Sequence, residues 1–335
     1  MLEIASRPLL TQTFDTPDDF RPQPGSVFVY SATFEERSKH PDRWTSGDSD
    51  VRMIELTEED DNIARTSLAG FERLFLRNAD QIAAFLAAQN GRRLYLDMTG
   101  LGHRVWAPLV RVAIERGFEL YVVYVEPLDY RPSTNVRTLS TFEPGPLDGL
   151  EMPPVLEIFD LSERIDGIEP LPLFASLADP SEQDVTFIPI LGFEGTRFAY
   201  LLHHVEYSED KVYPIIGVPG FRPEYPFFSY WANERQLLDG TAYQHVQYAR
   251  ANCPFSCYYL LSDMIAEAPN DHIRVGLMGT KPHALGAVML AVALKKRRIE
   301  LVYDHTRRKP GRTDGTAHLH VYEVSNFMSI QHRNG

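Results

Sequence analysis

Two short turns carry most of the chemistry in this sequence. Gly279-Thr280-Lys281-Pro282-His283 and Asp97-Met98-Thr99-Gly100-Leu101-Gly102-His103-Arg104 each follow an apolar run and precede a helical one. Glycine lets the backbone approach a ligand, threonine offers a hydroxyl, and lysine and arginine offer positive charge. A helix N-terminus adds its own partial positive charge, so the set suits an anion, a phosphate above all. Lys281 is the leading contact and Arg104 its counterpart. His103 and His283 read as ligand contacts or as plain first-turn helix residues. Asp97 reads as a ligand contact or as the cap of its own loop, and Gly100 serves a ligand or the tight turn.

Two further loops add to these. Ser31, Thr33, Glu35 and Arg37 follow a strand expected at Ser26 to Ser31, and Gly192, Glu194, Thr196 and Arg197 follow one expected at Asp184 to Ile190. Glu35 and Glu194 either meet a ligand or satisfy helix N-terminal amides. In an open α/β sheet, loops at the C-terminal ends of strands sit side by side at the ligand-binding edge. Two such edges facing each other would form one composite pocket.

The elements that must position these loops recur. Ile273 to Met278, His283 to Lys296 and Ile299 to Tyr303 read as strand, helix and strand, and Arg92 to Pro127 repeats that order. Met98 falls on Met278 and His103 on His283 at one offset. Upstream, Val51 to Leu56 and Val212 to Val218 occupy equivalent strand positions. Ile63 to Gln89 reads as one long helix, in the slot filled later by helices at Tyr225 to Leu238 and Ala242 to Ala266. The fold class expected is α/β, with two tandem Rossmann-like units and mainly parallel sheets. The divisions expected are an N-terminal arm at 1–25, a first unit at 26–131, a linker at 132–183 and a second unit at 184–335.

Composition narrows the function. The 335 residues carry a formal net charge of −13, which argues against a general nucleic-acid or membrane coat. Arg307, Arg308, Lys309 and Arg312 form a local basic exception. Cys253 and Cys257 are too few for a closed zinc site and read as buried thiols. The longest apolar run, Ala287 to Leu294, is far too short to cross a bilayer, and the N-terminus is polar and acidic, so a cytoplasmic, soluble protein is expected. There is no GxxxxGK[ST], no GxGxxG after a first strand and no GxSxG, and His203-His204 has no carboxylate at metalloprotease spacing. No metal or cofactor is called for.

The LDMTGLGHR turn and the GTKPHALG turn with its following helix resemble CARF domains, and two such units in one chain resemble the SAVED arrangement of bacterial antiviral systems. The resemblance covers roughly residues 26 to 130 and 184 to 310. It implies a Rossmann-like ligand-sensing fold that binds a nucleotide second messenger, such as a cyclic oligonucleotide, on loops after the first and fourth strands. It points to Thr99, Gly100, His103 and Arg104, to Gly279, Thr280, Lys281 and His283, and to the loops at Thr33 to Arg37 and Gly192 to Arg197. It also implies a protein effector partner. The first expectation is a sensor. The alternatives are a ring-nuclease-like or other nucleotide-processing enzyme using the same pocket, and a non-catalytic assembly subunit of a defence complex.

Overall fold

A computed structural model describes residues 7–43, 50–60, 62–89, 93–132, 159, 161–175, 184–208, 210–297 and 299–334. Residues 1–6 of the expected arm, Arg92, Arg298 and most of the expected linker lie outside the described residues. In chain order the first elements are β1 (Thr11–Phe14), β2 (Val27–Tyr30), β3 (Arg52–Asp60), β4 (Ile63–Thr66), β5 (Arg73–Phe75) and α1 (Ala79–Ala87). Then come β6 (Leu94–Asp97), α2 (His103–Glu115), β7 (Leu120–Val125), β8 (Asp129–Tyr130), β9 (Ser162–Ile165) and β10 (Glu169–Pro170). The second part contains β11 (Val185–Ile190), α3 (Gly195–His204), β12 (Ile215–Gly217), α4 (Tyr225–Leu238), β13 (Gln247–Ala249) and α5 (Pro254–Glu267). It continues with β14 (His272–Leu277), α6 (Lys281–Ala293) and β15 (Ile299–Tyr303), and ends with β16 (Thr306–Arg308), β17 (Thr313–Asp314), β18 (Leu319–Tyr322) and α7 (Val324–Asn334).

The protein is α/β. The strands β2, β6, β7 and β11 are continuous apolar runs buried on both faces, as strands of a parallel sheet covered by helices must be. The first sheet has a parallel core in the order β7-β6-β2-β3, and the second has β15-β14-β11-β12-β13, again parallel. Antiparallel strands extend the first core on both sides, with β4 and β5 beyond β3 and β18 and β1 beyond β7. Thus residues 11–14, inside the expected arm, and 319–322, inside the expected second unit, both complete the first sheet. Among the described residues no helix is long and apolar enough to cross a membrane.

The long helix expected at Ile63 to Gln89 is corrected. Its first half is the β4–β5 hairpin, and only Ala79–Ala87 is helical. Gly70 takes a left-handed backbone at φ 84° in the connecting turn, and the Thr66 hydroxyl donates to the Phe71 carbonyl at 2.9 Å across it. Leu74 is fully buried while Phe75 is 45% exposed, a strand alternation that the wider spacing of Leu68, Phe71, Leu74 and Phe75 disguised as a helical stripe.

The two sheets meet through their helices. α6 is apolar all round and buried along nearly its whole length, which requires cover on every side. It packs against α5 and against α2, so Val105, Leu109 and Val112 join Leu285, Val288 and Met289 in one core. The strand order doubles back at the first parallel strand of each sheet, between β2 and β6 and between β11 and β14, and there the outgoing loops touch. A Cβ on Gly100 would stand 1.8 Å from the Ser31 carbonyl oxygen, one on Gly192 would stand 2.4 Å from that of Met278, and one on Gly279 would stand 2.9 Å from that of Leu191. These glycines set the distance between neighbouring loops. Gly100→Ala therefore overpacks backbone against backbone and is expected to cost about 3 kcal/mol. Denaturant unfolding measures it, and a loss below about 0.5 kcal/mol would mean that the loops separate freely.

Candidate ligand-binding site

The turn after β6 is fixed by its own side chains. Asp97 Oδ1 accepts from the Thr99 amide at 2.8 Å, and Thr99 Oγ1 accepts from the Val125 amide at 2.9 Å. The other Asp97 oxygen faces His40 Nε2 at 3.5 Å. With both side chains so engaged, the Met98, Thr99 and Leu101 carbonyls converge, and Lys281 Nζ donates to all three, to Thr99 and Leu101 at 2.7 Å each. Lys281 is 6% exposed. Burial and the charges of Arg308 and Arg37 push its amine well below the usual lysine range, with Glu35 opposing. Three acceptors, however, need three N–H donors, which only the ammonium supplies. The residue expected to hold a ligand thus ties the second sheet to the first.

The matching turn after β14 is fixed in a different way. The Thr280 hydroxyl donates to the Ala251 carbonyl at 2.6 Å and accepts from the His283 amide, capping α6. His283 is fully buried, with Nε2 against the Arg250 carbonyl at 2.9 Å.

Between the turns lies a cavity of about 110 Å³. Of the expected residues, Arg37, His103, Gly192, Glu194, Arg197, Gly279, Thr280 and Lys281 line it. An open cleft of about 750 Å³ adjoins it, lined by Thr33, Glu35, Gly100, His103 and Arg104 among others. His103, Tyr303, Thr306 and Arg308 border both spaces. Asp97, Thr99 and His283 line neither. Arg104 is turned to His305, its Nε against Nδ1.

Charges in the cavity are mostly neutralised within the chain. Glu35 pairs with Arg37 and Arg312, each at 2.7 Å. Burial alone would raise the Glu35 carboxyl, but Arg37, Arg312 and Arg308 hold it far below the usual range. Arg37 also donates to Tyr124 Oη and the Val125 carbonyl, so it is spent on structure. Arg197 grips Asp304 with two bonds, at 2.6 and 2.7 Å, and Glu194 accepts from the Ser162 hydroxyl at 2.9 Å. Arg308 is the exception. Half-buried on β16, it reaches only the Gly100 and Leu101 carbonyls, at 3.4 Å, and makes no ion pair among the described residues. Burial and the Arg312 charge weaken its hold on its proton, with Glu35, Tyr303 and Glu58 opposing, and an incoming anion would oppose the shift further.

His103 faces the same two spaces with nothing to bond. Its ring lies 4.6 Å from that of Tyr303, and neither ring nitrogen has a hydrogen-bond partner among the described residues. Burial, then Lys281, Arg308 and Arg197, hold it well below the usual histidine range, so it is neutral and offers one donor and one acceptor. Around the cavity stand Tyr124, Tyr130, Phe193, Phe221, Tyr225 and Tyr303. Among the described residues no group of three or more His, Cys, Asp or Glu could hold a metal.

The sequence reading placed Arg307, Arg308, Lys309 and Arg312 after a strand on the binding edge, as a basic patch that could meet a polyphosphate or a partner. Arg308 and Arg312 line the cavity, and the direction of Arg308 depends on β16 pairing with β9. The sequence reading missed the aromatic wall, whose members come from five separate stretches of chain.

Two outcomes follow from this chemistry. Lys281→Met strands three carbonyls without a donor and is expected to lower stability by about 3 kcal/mol in denaturant unfolding; a neutral result would mean that the turn does not need the ammonium. Buried His283 and His305 are both held down to about 4, chiefly by burial. The unfolded chain takes up protons near 6.5 and the folded chain does not, so the stability these histidines confer is present above pH 6.5 and is lost as pH falls toward about 4. Each contributes up to about 1.4 kcal/mol per pH unit in that window, and unfolding titrations of His283→Gln and His305→Gln should show a flatter slope there. Comparison with protein-family models, curated proteins and solved structures gives no match.

Proposed function

We propose that this chain is a binding protein for an anionic nucleotide, a sensor of a nucleotide second messenger that works with a protein effector. Arg308 carries the reading: a guanidinium without an ion pair among the described residues, at the boundary of a cavity and a cleft at the C-terminal edges of two parallel sheets. A guanidinium fork matches phosphate oxygens, the aromatic wall suits a flat base, and neutral His103 supplies a donor and an acceptor for its polar edge. Burial makes a guanidinium without a direct carboxylate partner costly, and a bound anion would offset that cost. The likeness of the two turns to CARF and SAVED proteins supports the same reading and makes a cyclic oligonucleotide the first ligand class to try.

The neutral imidazole beside Arg308 favours a second reading, a nucleotide-processing enzyme with His103 as general base. One experiment separates the two. Wild type and Arg308→Ala are titrated with AMP, linear dinucleotides and cyclic oligonucleotides by calorimetry, and the recovered ligand is weighed by mass spectrometry. A sensor returns its ligand intact, and Arg308→Ala weakens binding about 10- to 100-fold, the worth of a hydrogen bond to a charged group. Altered ligand would move the assignment to the enzyme. No binding by wild type, or equal binding by Arg308→Ala, would overturn the site.

A further inference from the structure

The N-terminus of α2 already holds an anion supplied by the chain. α2 runs for 13 residues from His103, and its N-cap, Gly102, has no side chain with which to satisfy the first turn. Glu58, from β3, satisfies the amide of the N-cap itself: its Oε1 accepts from the Gly102 amide at 2.9 Å. A Cβ on Gly102 would stand 2.0 Å from that oxygen, so the carboxylate lies flat against the turn. α6 needs no such visitor, because Thr280 caps it from within the turn.

Glu58 is poorly anchored for a residue in this position. Its side chain is exposed and, among the described residues, makes a hydrogen bond to Gly102 alone, with the Arg308 charge as a further attraction. Its neighbour Glu59 instead holds Arg65 and Arg73 at 3.1 and 2.9 Å.

Two independent features point to a ligand at the same spot. His103, the first residue of α2, is 7% exposed, lines the cleft, and among the described residues has a hydrogen-bond partner for neither ring nitrogen. Arg308, from the opposite wall, reaches the carbonyls of the same turn and makes no ion pair among the described residues. A donor, an acceptor and a cation therefore converge on a helix N-terminus whose amide is occupied by a surface carboxylate.

We infer that Glu58 is a resident stand-in for a second phosphate of the ligand, which binds with one anionic group on each side of the His103–Arg308 wall and displaces Glu58 from the α2 N-terminus. This rests on the nucleotide reading above. The class of ligand is thereby narrowed to one with at least two phosphates, and Glu58 sets a threshold that a single phosphate does not need to cross.

The test uses two probes of the full chain: AMP, with one phosphate, and pApA, with two. Glu58→Gln keeps an oxygen that can accept from Gly102 but removes the competing charge. Asp60→Asn, on the same cleft wall, controls for the general change in charge. The expected result is that Glu58→Gln tightens pApA about 10-fold, leaves AMP within about 2-fold, and is not reproduced by Asp60→Asn. Unchanged or weaker pApA binding by Glu58→Gln, with AMP still dependent on Arg308, would overturn this inference and leave the nucleotide site standing. An equal gain with Asp60→Asn would overturn it too, by showing field rather than displacement. Binding of neither probe to wild type or variant would overturn the nucleotide reading itself.

Discussion

The rest of the site depends on one buried ammonium. Lys281 Nζ, at the start of α6, holds the three carbonyls that end β6 and open the turn before α2. Carbonyl oxygens gathered at one point repel each other and, buried, each needs a donor. A lysine from the other sheet supplies all three at once. The contact brings the N-termini of α2 and α6 together, and the cavity is the space left between their turns. An apolar side chain in place of Lys281 would pack against the helices but leave the carbonyls unsatisfied, so the junction requires this residue type and not merely its volume.

Charge bookkeeping explains why the cavity suits an anion. Buried ions survive when paired, and most here are: Glu35 serves two arginines, and Asp304 takes both arms of Arg197. Lys281 is satisfied by dipoles. Arg308 receives neither a carboxylate nor a short carbonyl contact. The acidic surface of the protein repels anions at long range, so selection rests on the local cation and on the shape around it.

Much of this could be read in the sequence because its causes are local. Continuous apolar runs such as Leu120 to Val125 had to be strands covered on both faces, and the glycines and threonines of the two turns had to lie at strand ends. Other features depend on contacts across the chain. Nothing near Lys281 shows that its partners are carbonyls 180 to 183 residues earlier. Nothing near Leu319 shows that it pairs with Val125 in the first sheet. Asp97 and Thr99 were conspicuous because they build the turn, which is also what occupies their side chains. Arg308 stood in the sequence as one of four basic residues on the binding edge, with nothing to single it out, whereas strand alternation on β16 leaves Arg307 exposed and turns Arg308 inward.

The two edges share a strand order but not a chemistry. One contributes an ammonium and the other the carbonyls that receive it. One helix is capped by its own threonine, while the N-cap amide of the other is met by a glutamate from a neighbouring strand. The aromatic wall lies mainly against the second sheet's loops, while the open cleft lies over the first. A stretch from His305, whose backbone is left-handed at φ 43°, to Gly315 crosses between them, delivering Arg308 and Arg312 before the chain returns to the first sheet as β18. A ligand spanning both spaces would therefore meet different partners at its two ends. Whatever symmetry the strands have is lost in the loops around the two spaces, and that loss gives the proposed site a direction.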